Sequence, residues 1–188
     1  MLPILQSGDP VLRKRAVEVP TKEIKSHKIR KVLKQMQAAL ETQDDGVALA
    51  APQIGVSLRI FLVAKAALRL PAELKKRVQS ENHPTTKLKK EAGYLTFIKP
   101  KLVKLSRDKT LLDEGCLSVR PLYGKIKRSK KATIQAYDEE GNFFERGASG
   151  LLAQIFQHET DHLEGVLFID TATDLKALPI TNNQSLNN

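Results

Sequence analysis

The chain has 188 residues, of which 41% are hydrophobic and 28% are charged, and both fractions are typical of a folded globular protein. No apolar run approaches the roughly 18 residues of a membrane span, which argues against an integral membrane protein. The single cysteine, Cys116, excludes an intramolecular disulfide and therefore a disulfide-built secreted domain. The first ten residues lack the basic and apolar regions of a secretory signal.

The net charge is +10 and is unevenly distributed along the chain. Residues 151–188 contain five acidic residues and one basic residue, so residues 1–150 carry +14. A field of this sign attracts polyanions such as nucleic acid, although a merely solvated basic surface has the same composition. No motif of a nucleic-acid-binding fold is present, and we expect no sequence-specific binding.

The first half of the chain predicts a helix, a strand and an insertion. Apolar side chains recur every three or four residues over 22–41, which predicts an amphipathic helix with Thr21 as its N-cap. The apolar run in 59–64 predicts a buried strand. Prolines and clusters of lysine in residues 65–93 predict an exposed basic insertion.

The second half predicts strands followed by one strong helix. Residues 130–137 and 142–146 have the pattern of a β-hairpin. A helix is expected from residue 150 or 151 to residue 163, with Ser149 as its N-cap and Gly165 as its stop. Short strands combined with this helix indicate an α+β fold. We expect one domain over residues 1–170 and a partly disordered tail over residues 171–188.

The strongest local signal is the pentapeptide His-Glu-Thr-Asp-His at residues 158–162. On a helix, His158 and His162 lie one turn apart on the same face and can hold one metal ion. Glu159 lies beside them and can reach a water molecule next to that ion. An ordinary amphipathic helix with two histidines is the plainer interpretation, but the apolar residues before the motif favour a buried helix. Cys116 can supply a third ligand, since thiolates bind zinc and ferrous iron strongly.

Three ordered motifs resemble those of the peptide deformylase family. Residues 46–53 read GVALAAPQ, where the family usually has GxGLAAxQ. Residues 114–118 read EGCLS, and residues 157–163 read QHETDHL. The likeness covers about residues 3–170 apart from the insertion, and residues 4–13 resemble the family's opening strand. The resemblance implies mixed, mostly antiparallel β-sheets packed around a central helix that bears the His-Glu-x-x-His motif.

The resemblance also implies a reaction. Cys116, His158 and His162 would bind one divalent metal ion, with Fe²⁺ as the physiological metal and Zn²⁺, Ni²⁺ or Co²⁺ compatible with the same ligand types. Glu159 would act as general base and then general acid in hydrolysis of the formyl group of N-formylmethionyl peptides. The products are formate and a peptide with a free methionine amine.

Further roles follow from the same resemblance. The Gln53 amide and the Leu117 backbone N–H would stabilise the oxyanion. Gly46, Val47, Ala48 and Gly115 would line the substrate peptide as an extended edge with main-chain hydrogen bonds. We expect Val47, Leu117 and Ile155 to form the pocket for the methionine side chain, with plain core packing as the alternative.

Supporting roles are open at this stage. Asp161 or a backbone carbonyl could orient a histidine ring. Glu114 could pair with a cation such as Arg128, and ordinary fold-stabilising ion pairs would explain both carboxylates equally well.

The chain departs from the family pattern at two sites and in its charge. Ala48 replaces the usual second glycine, and Arg120 stands where many members have proline. A methyl group at Ala48 could crowd the substrate backbone. The basic C-terminal helix of some bacterial members is absent, so a ribosome contact would use the insertion or residues 125–131. Formylated initiation occurs in bacteria and their derived organelles, so a bacterial cytoplasm is expected and an organelle stays open.

Two rival functions remain on this evidence. Other metallopeptidases share the His-Glu-x-x-His pattern, but they typically use a distant Glu or His as third ligand, which Cys116 contradicts. A deformylase-like protein that has lost turnover and binds a polyanion is the second rival. The charge and Ala48 leave it open, while the intact ligands and Glu159 argue against it.

Overall fold

The computed structural model describes residues 2–68 and 93–177, which form eight strands and three helices joined by short 3-10 turns. The strands are β1 Ala48–Ala50, β2 Ile60–Ala64, β3 Tyr94–Leu105, β4 Lys109–Gly115, β5 Leu122–Ser129, β6 Lys131–Tyr137, β7 Phe143–Ser149 and β8 Thr173–Ala177. The helices are α1 His27–Glu41, the single turn α2 Lys65–Leu68, and α3 Gly150–Leu163.

The strands form two antiparallel sheets. The larger has the order β1-β2-β3-β6-β7, and the smaller has the order β4-β5-β8. β1 is therefore an edge strand, and no other strand in the described part of the chain pairs with its outer side. This outer edge is available to an extended peptide, since its backbone groups can continue the ladder.

α3 packs on the larger sheet through an apolar cluster that includes Phe61, Phe97 and Phe156. Side chains of the helix also bond to the smaller sheet, and Gln157 does so through both of its amide atoms. Gln157 Oε1 accepts from the Ser129 backbone N–H at 2.9 Å, and Gln157 Nε2 donates to the Ser129 carbonyl at 3.0 Å. The amide thus takes the place of a neighbouring strand at the end of β5. The opposite face of the larger sheet packs against α1 through a second cluster, in which Met36 and Leu49 are fully buried.

The α+β prediction is confirmed, with corrections at several boundaries. The strand predicted over 59–64 and the hairpin occupy their predicted places within a few residues. The first helix begins at His27 rather than residue 22, because the N-cap is Ser26, whose hydroxyl accepts from the Ile29 N–H at 3.3 Å. Thr21 instead begins a separate 3-10 turn.

The ends of α3 agree with the sequence analysis in position. Ser149 is the N-cap residue, although its side chain makes no capping hydrogen bond. Gly165 follows the helix with φ +76°, and an added Cβ would lie 2.7 Å from the Arg13 carbonyl. Glycine is therefore required here by both conformation and space.

The predicted opening strand is wrong, because residues Pro10–Arg13 form a 3-10 turn capped by the Asp9 side chain. Within the segment predicted as a tail, Thr173–Ala177 form β8 and pair with β5, so the ordered sheet extends past residue 170. The basic insertion lies mostly outside the described residues, as does the tail beyond residue 177. No helix in the described ranges is long and apolar enough to cross a membrane.

Candidate active site

α3 supplies three side chains to the candidate site: His158, Glu159 and His162. His158 and His162 lie one helical turn apart, with ring centroids separated by 4.9 Å. Glu159 lies between them in sequence and lines the same pocket as His158. Leu151 and Ile155 line this pocket from the preceding turns, because positions three or four residues apart share a helix face. The helix predicted from the sequence therefore presents its motif to a cleft.

Cys116 reaches the histidines from the residue after β4. Its Sγ lies 3.2 Å from His162 Nε2. One donor atom each of Cys116, His158 and His162 lies within 4.8 Å of the other two. A tetrahedral ion with one thiolate and two imidazole ligands needs donor atoms roughly 3.4–3.6 Å apart. The residues present therefore fit a divalent ion of borderline softness, as their chemistry also indicates.

The two histidine rings are in different protonation states. Although burial lowers the pKa of His158, Glu114 and Cys116 raise it well above its ordinary value, so this ring would release a proton on binding an ion. Burial lowers the pKa of His162 well below its ordinary value, so this ring is neutral and keeps a lone pair. His158 Nδ1 lies 2.6 Å from Glu114 Oε1, which leaves Nε2 for an ion. A carboxylate behind a ligand histidine fixes its ring orientation and raises its basicity.

Glu114 holds a buried charge network behind His158. Its two oxygens accept from Arg128 Nε at 3.0 Å and Arg128 Nη2 at 2.6 Å. Burial alone would raise the pKa of Glu114, but His158 and Arg128 together lower it to about 2. Gln154 Nε2 donates to the same carboxylate at 3.2 Å.

The pairing of Glu114 with Arg128 is thus as expected, but Asp161 as the residue that orients a histidine is wrong. Asp161 accepts from Arg128 Nη1 at 2.6 Å, and Glu114 orients His158 instead. On a helix, side chains three or four residues apart are neighbours, so the spacing of Asp161 and His158 would have allowed a contact. It turns to the smaller sheet because the buried Arg128 guanidinium has a third donor to satisfy.

Replacing Arg128 with Met should lower the free energy of unfolding by about 3–5 kcal/mol, because Glu114 and Asp161 lose their buried cation. Urea unfolding followed by circular dichroism measures this difference. Arg107→Met removes an exposed arginine and is the matched control. A loss below about 1 kcal/mol for Arg128→Met would mean that the network contributes no net stability.

Glu159 is the buried acid of the pocket. Only 3% of its surface is exposed, and its Oε2 has no hydrogen-bond partner among the described residues. Burial raises its pKa from 4.5 to about 7. A carboxyl group of this pKa can both accept and release a proton near neutral pH, which general acid–base catalysis requires.

Gln53 faces the candidate metal ligands from the turn after β1. Its Oε1 accepts from the Ala50 N–H at 2.8 Å, so its Nε2 points the other way. That nitrogen lies 3.0 Å from Ser118 Oγ and 3.6 Å from Cys116 Sγ. The amide is therefore held with its N–H₂ group towards the donor atoms.

The predicted substrate-binding residues all line the same pocket. Gly46, Val47 and Ala48 form one wall, which continues the free edge of β1, and Gly115 and Leu117 form the other. Val47 and Ile155 are also lining residues, as expected. Ala48 is a strand residue without positive φ, and its side chain belongs to the apolar cluster under α3. It does not need the conformational freedom of glycine.

Sequence reasoning missed five lining residues: Asp45, Asp113, Tyr123, Leu151 and Gln154. Gln154 was detectable, since it lies four residues before His158 on the same helix face. Asp45 precedes the first motif directly. The ring of Tyr123 lies 2.3 Å from where a Cβ on Gly115 would be, so only glycine fits at that position in the cleft wall.

A helix with His-Glu-x-x-His and a nearby cysteine is a combination of ligand types that metal-dependent hydrolases use. Residues 1–178 match the family model for polypeptide deformylase. The chain is 36% identical over 167 residues to "Peptide deformylase 1A, chloroplastic/mitochondrial" of Arabidopsis thaliana, covering 89% of this chain and 60% of that protein. It is 33% identical over 168 residues to "Peptide deformylase 2" of Clostridium acetobutylicum, covering 89% and 93% respectively.

Solved structures agree. The Met-Ala-Ser-bound crystal structure of class I type b peptide deformylase from Acinetobacter baumannii superposes with a TM-score of 0.74 at 27% identity, covering 91% of this chain and 98% of that one. The chain belongs to the peptide deformylase family. It spans about three fifths of the length of the plant relative.

Proposed function

We propose that this protein hydrolyses the formyl group of N-formylmethionyl peptides and releases formate. The observation that carries the proposal is the convergence of Cys116, His158 and His162 within 4.8 Å, in a pocket that Glu159 also lines. Family membership supports the same activity, and the Acinetobacter structure is described as bound to Met-Ala-Ser, the peptide that such a reaction would leave.

Cys116, His158 and His162 would hold one divalent ion. That ion supplies Lewis-acid chemistry, which lowers the pKa of water and polarises a carbonyl oxygen. We propose Fe²⁺ as the physiological metal, while Zn²⁺, Ni²⁺ and Co²⁺ suit the same donor set. Glu114 keeps His158 in one tautomer through its bond to Nδ1.

The chain's own residues would carry out the proton transfers and stabilise the negative charge that develops on the formyl oxygen. Glu159 takes a proton from the attacking water and then delivers it to the leaving nitrogen. The Gln53 amide and the Leu117 N–H donate to the oxygen of the formyl group as negative charge develops there. The orientation of Gln53 Nε2 towards Cys116 supports this role.

The wall formed by Gly46, Val47 and Ala48 would bind the substrate backbone as an added strand. Main-chain hydrogen bonds make little demand on sequence, which suits an enzyme that acts on many nascent chains. Val47, Leu117, Leu151 and Ile155 would surround the methionine side chain. Gly115 contributes the opposite wall without a side chain.

We further propose that the basic surface contacts ribosomal RNA. Lys125 and Lys127 are exposed on β5, and Lys130 and Lys131 follow them. Contacts of these cations with phosphate would weaken steeply with added salt. Formylated initiation occurs in bacteria and their derived organelles, and the relatives include both a bacterial and a plant organellar protein. We place the activity in such a compartment, with a bacterial cytoplasm as the first expectation.

Formate release from formyl-Met-Ala-Ser tests the proposal directly. Protein loaded anaerobically with Fe²⁺ or with Ni²⁺ should release one formate for each free methionine amine, and chelation should abolish release. Acetyl-Met-Ala-Ser is the control, because the larger acyl group should be hydrolysed much more slowly. Cleavage between methionine and alanine would instead identify a peptidase. No release of formate with one metal per chain would favour a deformylase-like protein that has lost turnover and binds a polyanion.

A further inference from the structure

A second cleft adjoins the catalytic pocket. It has a volume of about 350 Å³ and is lined by the N-terminal residues Leu2, Pro3 and Ile4, by Thr42, and by Leu117 and Arg120. Leu117 and Arg120 also line the catalytic pocket, so the two spaces meet at these residues. The N-terminal segment is held there by a hydrogen bond from Gln6 Nε2 to the Leu117 carbonyl at 3.1 Å.

The order of the lining residues along the chain indicates how a bound peptide would run from the catalytic pocket to the second cleft. Gln53 lies beside the metal ligands, and Ala48 and Gly46 line the wall next to it. Asp45 lies farther out on this wall, and Thr42 lies in the second cleft. A peptide extended along this wall, with its formyl group at Gln53, would therefore continue towards the second cleft.

An ion pair lies where the two spaces meet. Arg120 Nη2 is 2.5 Å from Asp45 Oδ1, and these side chains come from opposite walls of the catalytic pocket. Both remain accessible, with 43% of the Arg120 side chain and 29% of the Asp45 side chain exposed. Within the described residues, this is the one hydrogen bond of the Arg120 guanidinium, which has five N–H donors.

Resting on the proposed deformylase activity, we propose that Arg120, at the boundary of the catalytic pocket and the second cleft, selects an acidic side chain at the third residue of the substrate. Side chains of an extended peptide alternate between two faces, so the third points to the same side as the methionine. A substrate carboxylate can pair with the free donors of Arg120.

The test compares formyl-Met-Ala-Glu-amide with the uncharged formyl-Met-Ala-Gln-amide. The wild-type chain should show a ratio of kcat/KM values of about twofold to fivefold in favour of the glutamate peptide, expressed mainly in KM. Arg120→Met should bring that ratio to about 1. Asp45→Asn should raise it above the wild-type value, because a competing carboxylate is removed. When the acidic residue is moved to the second position, formyl-Met-Glu-Ala-amide should show no preference over the same peptide with glutamine at that position.

Lys109→Met is the matched control, since it removes one exposed cation of the second sheet outside both spaces and should retain the wild-type ratio. Equal rates for the two peptides, or an unchanged ratio in Arg120→Met, would overturn the role of Arg120. An equal fall in Lys109→Met would assign the preference to the overall field instead. Formate release from no peptide would contradict the deformylase activity itself, so the two failures are distinguishable.

Discussion

Glu159→Gln should lower the rate of formate release by about 10³-fold, because the variant keeps the shape of the side chain and loses the group that carries the proton. The carboxyl group is buried in the pocket, and its raised pKa suits transfer in both directions. Bound metal should remain at one ion per chain, since Glu159 is not among the three donors. Single-turnover formate assays and metal analysis on the same preparation measure both quantities.

Glu140→Gln is the matched control for this experiment. Glu140 is exposed in the turn between β6 and β7, so its replacement removes the same charge without touching the site. Its rate should stay within about twofold of the wild-type rate. A Glu159→Gln variant that kept full activity would contradict the role of Glu159 and leave the proton carrier to be found elsewhere.

Cys116→Ala should lose the metal ion and the activity together. The change removes the thiolate from a set of three ligands, and formate release should fall by at least about 10³-fold, the scale of several kcal/mol of Lewis-acid stabilisation. Metal content, measured after dialysis against buffer without metal, should fall well below one ion per chain. This measurement does not depend on activity.

The chain has one cysteine, so histidines provide the controls. His162→Ala should lose the ion as Cys116→Ala does, while the exposed His27→Ala should retain it. Stoichiometric metal in purified Cys116→Ala would exclude the thiolate as a ligand. Stoichiometric metal in wild type and His27→Ala, combined with none in the other two variants, would establish Cys116 and His162 as ligands.

Local periodicity was sufficient to predict α3 and its motif. The spacing of His158 and His162 places both on one face of a helix, and the apolar residues before them predict which face is buried. Cys116 was assigned as a ligand because it is the one thiol in the chain. Both inferences depend on short-range geometry or on chemistry that few residues can supply.

The partners of Glu114 and Asp161 were harder to predict, because they depend on how α3 sits relative to β4 and β5. Two carboxylates competed for one histidine and one arginine, and no local pattern distinguishes these pairings. The start of α1 was missed for a different reason. The predicted start followed the candidate cap Thr21, but the apolar residues at helical spacing begin at Ile29, and the hydroxyl of Ser26 caps the helix just before them.

The double hydrogen bond between Gln157 and Ser129 has a consequence for how this fold tolerates change. The candidate ligands on α3 and the thiolate after β4 are brought into register through β5, since β4 and β5 are paired along their whole length. This anchor next to the motif adds to the apolar packing of α3 on β6 and β7, and the turn between those two strands takes part in neither contact. Insertions at the turn after β6 should leave the pocket undisturbed, which makes this turn a suitable place to attach a tag or a second domain.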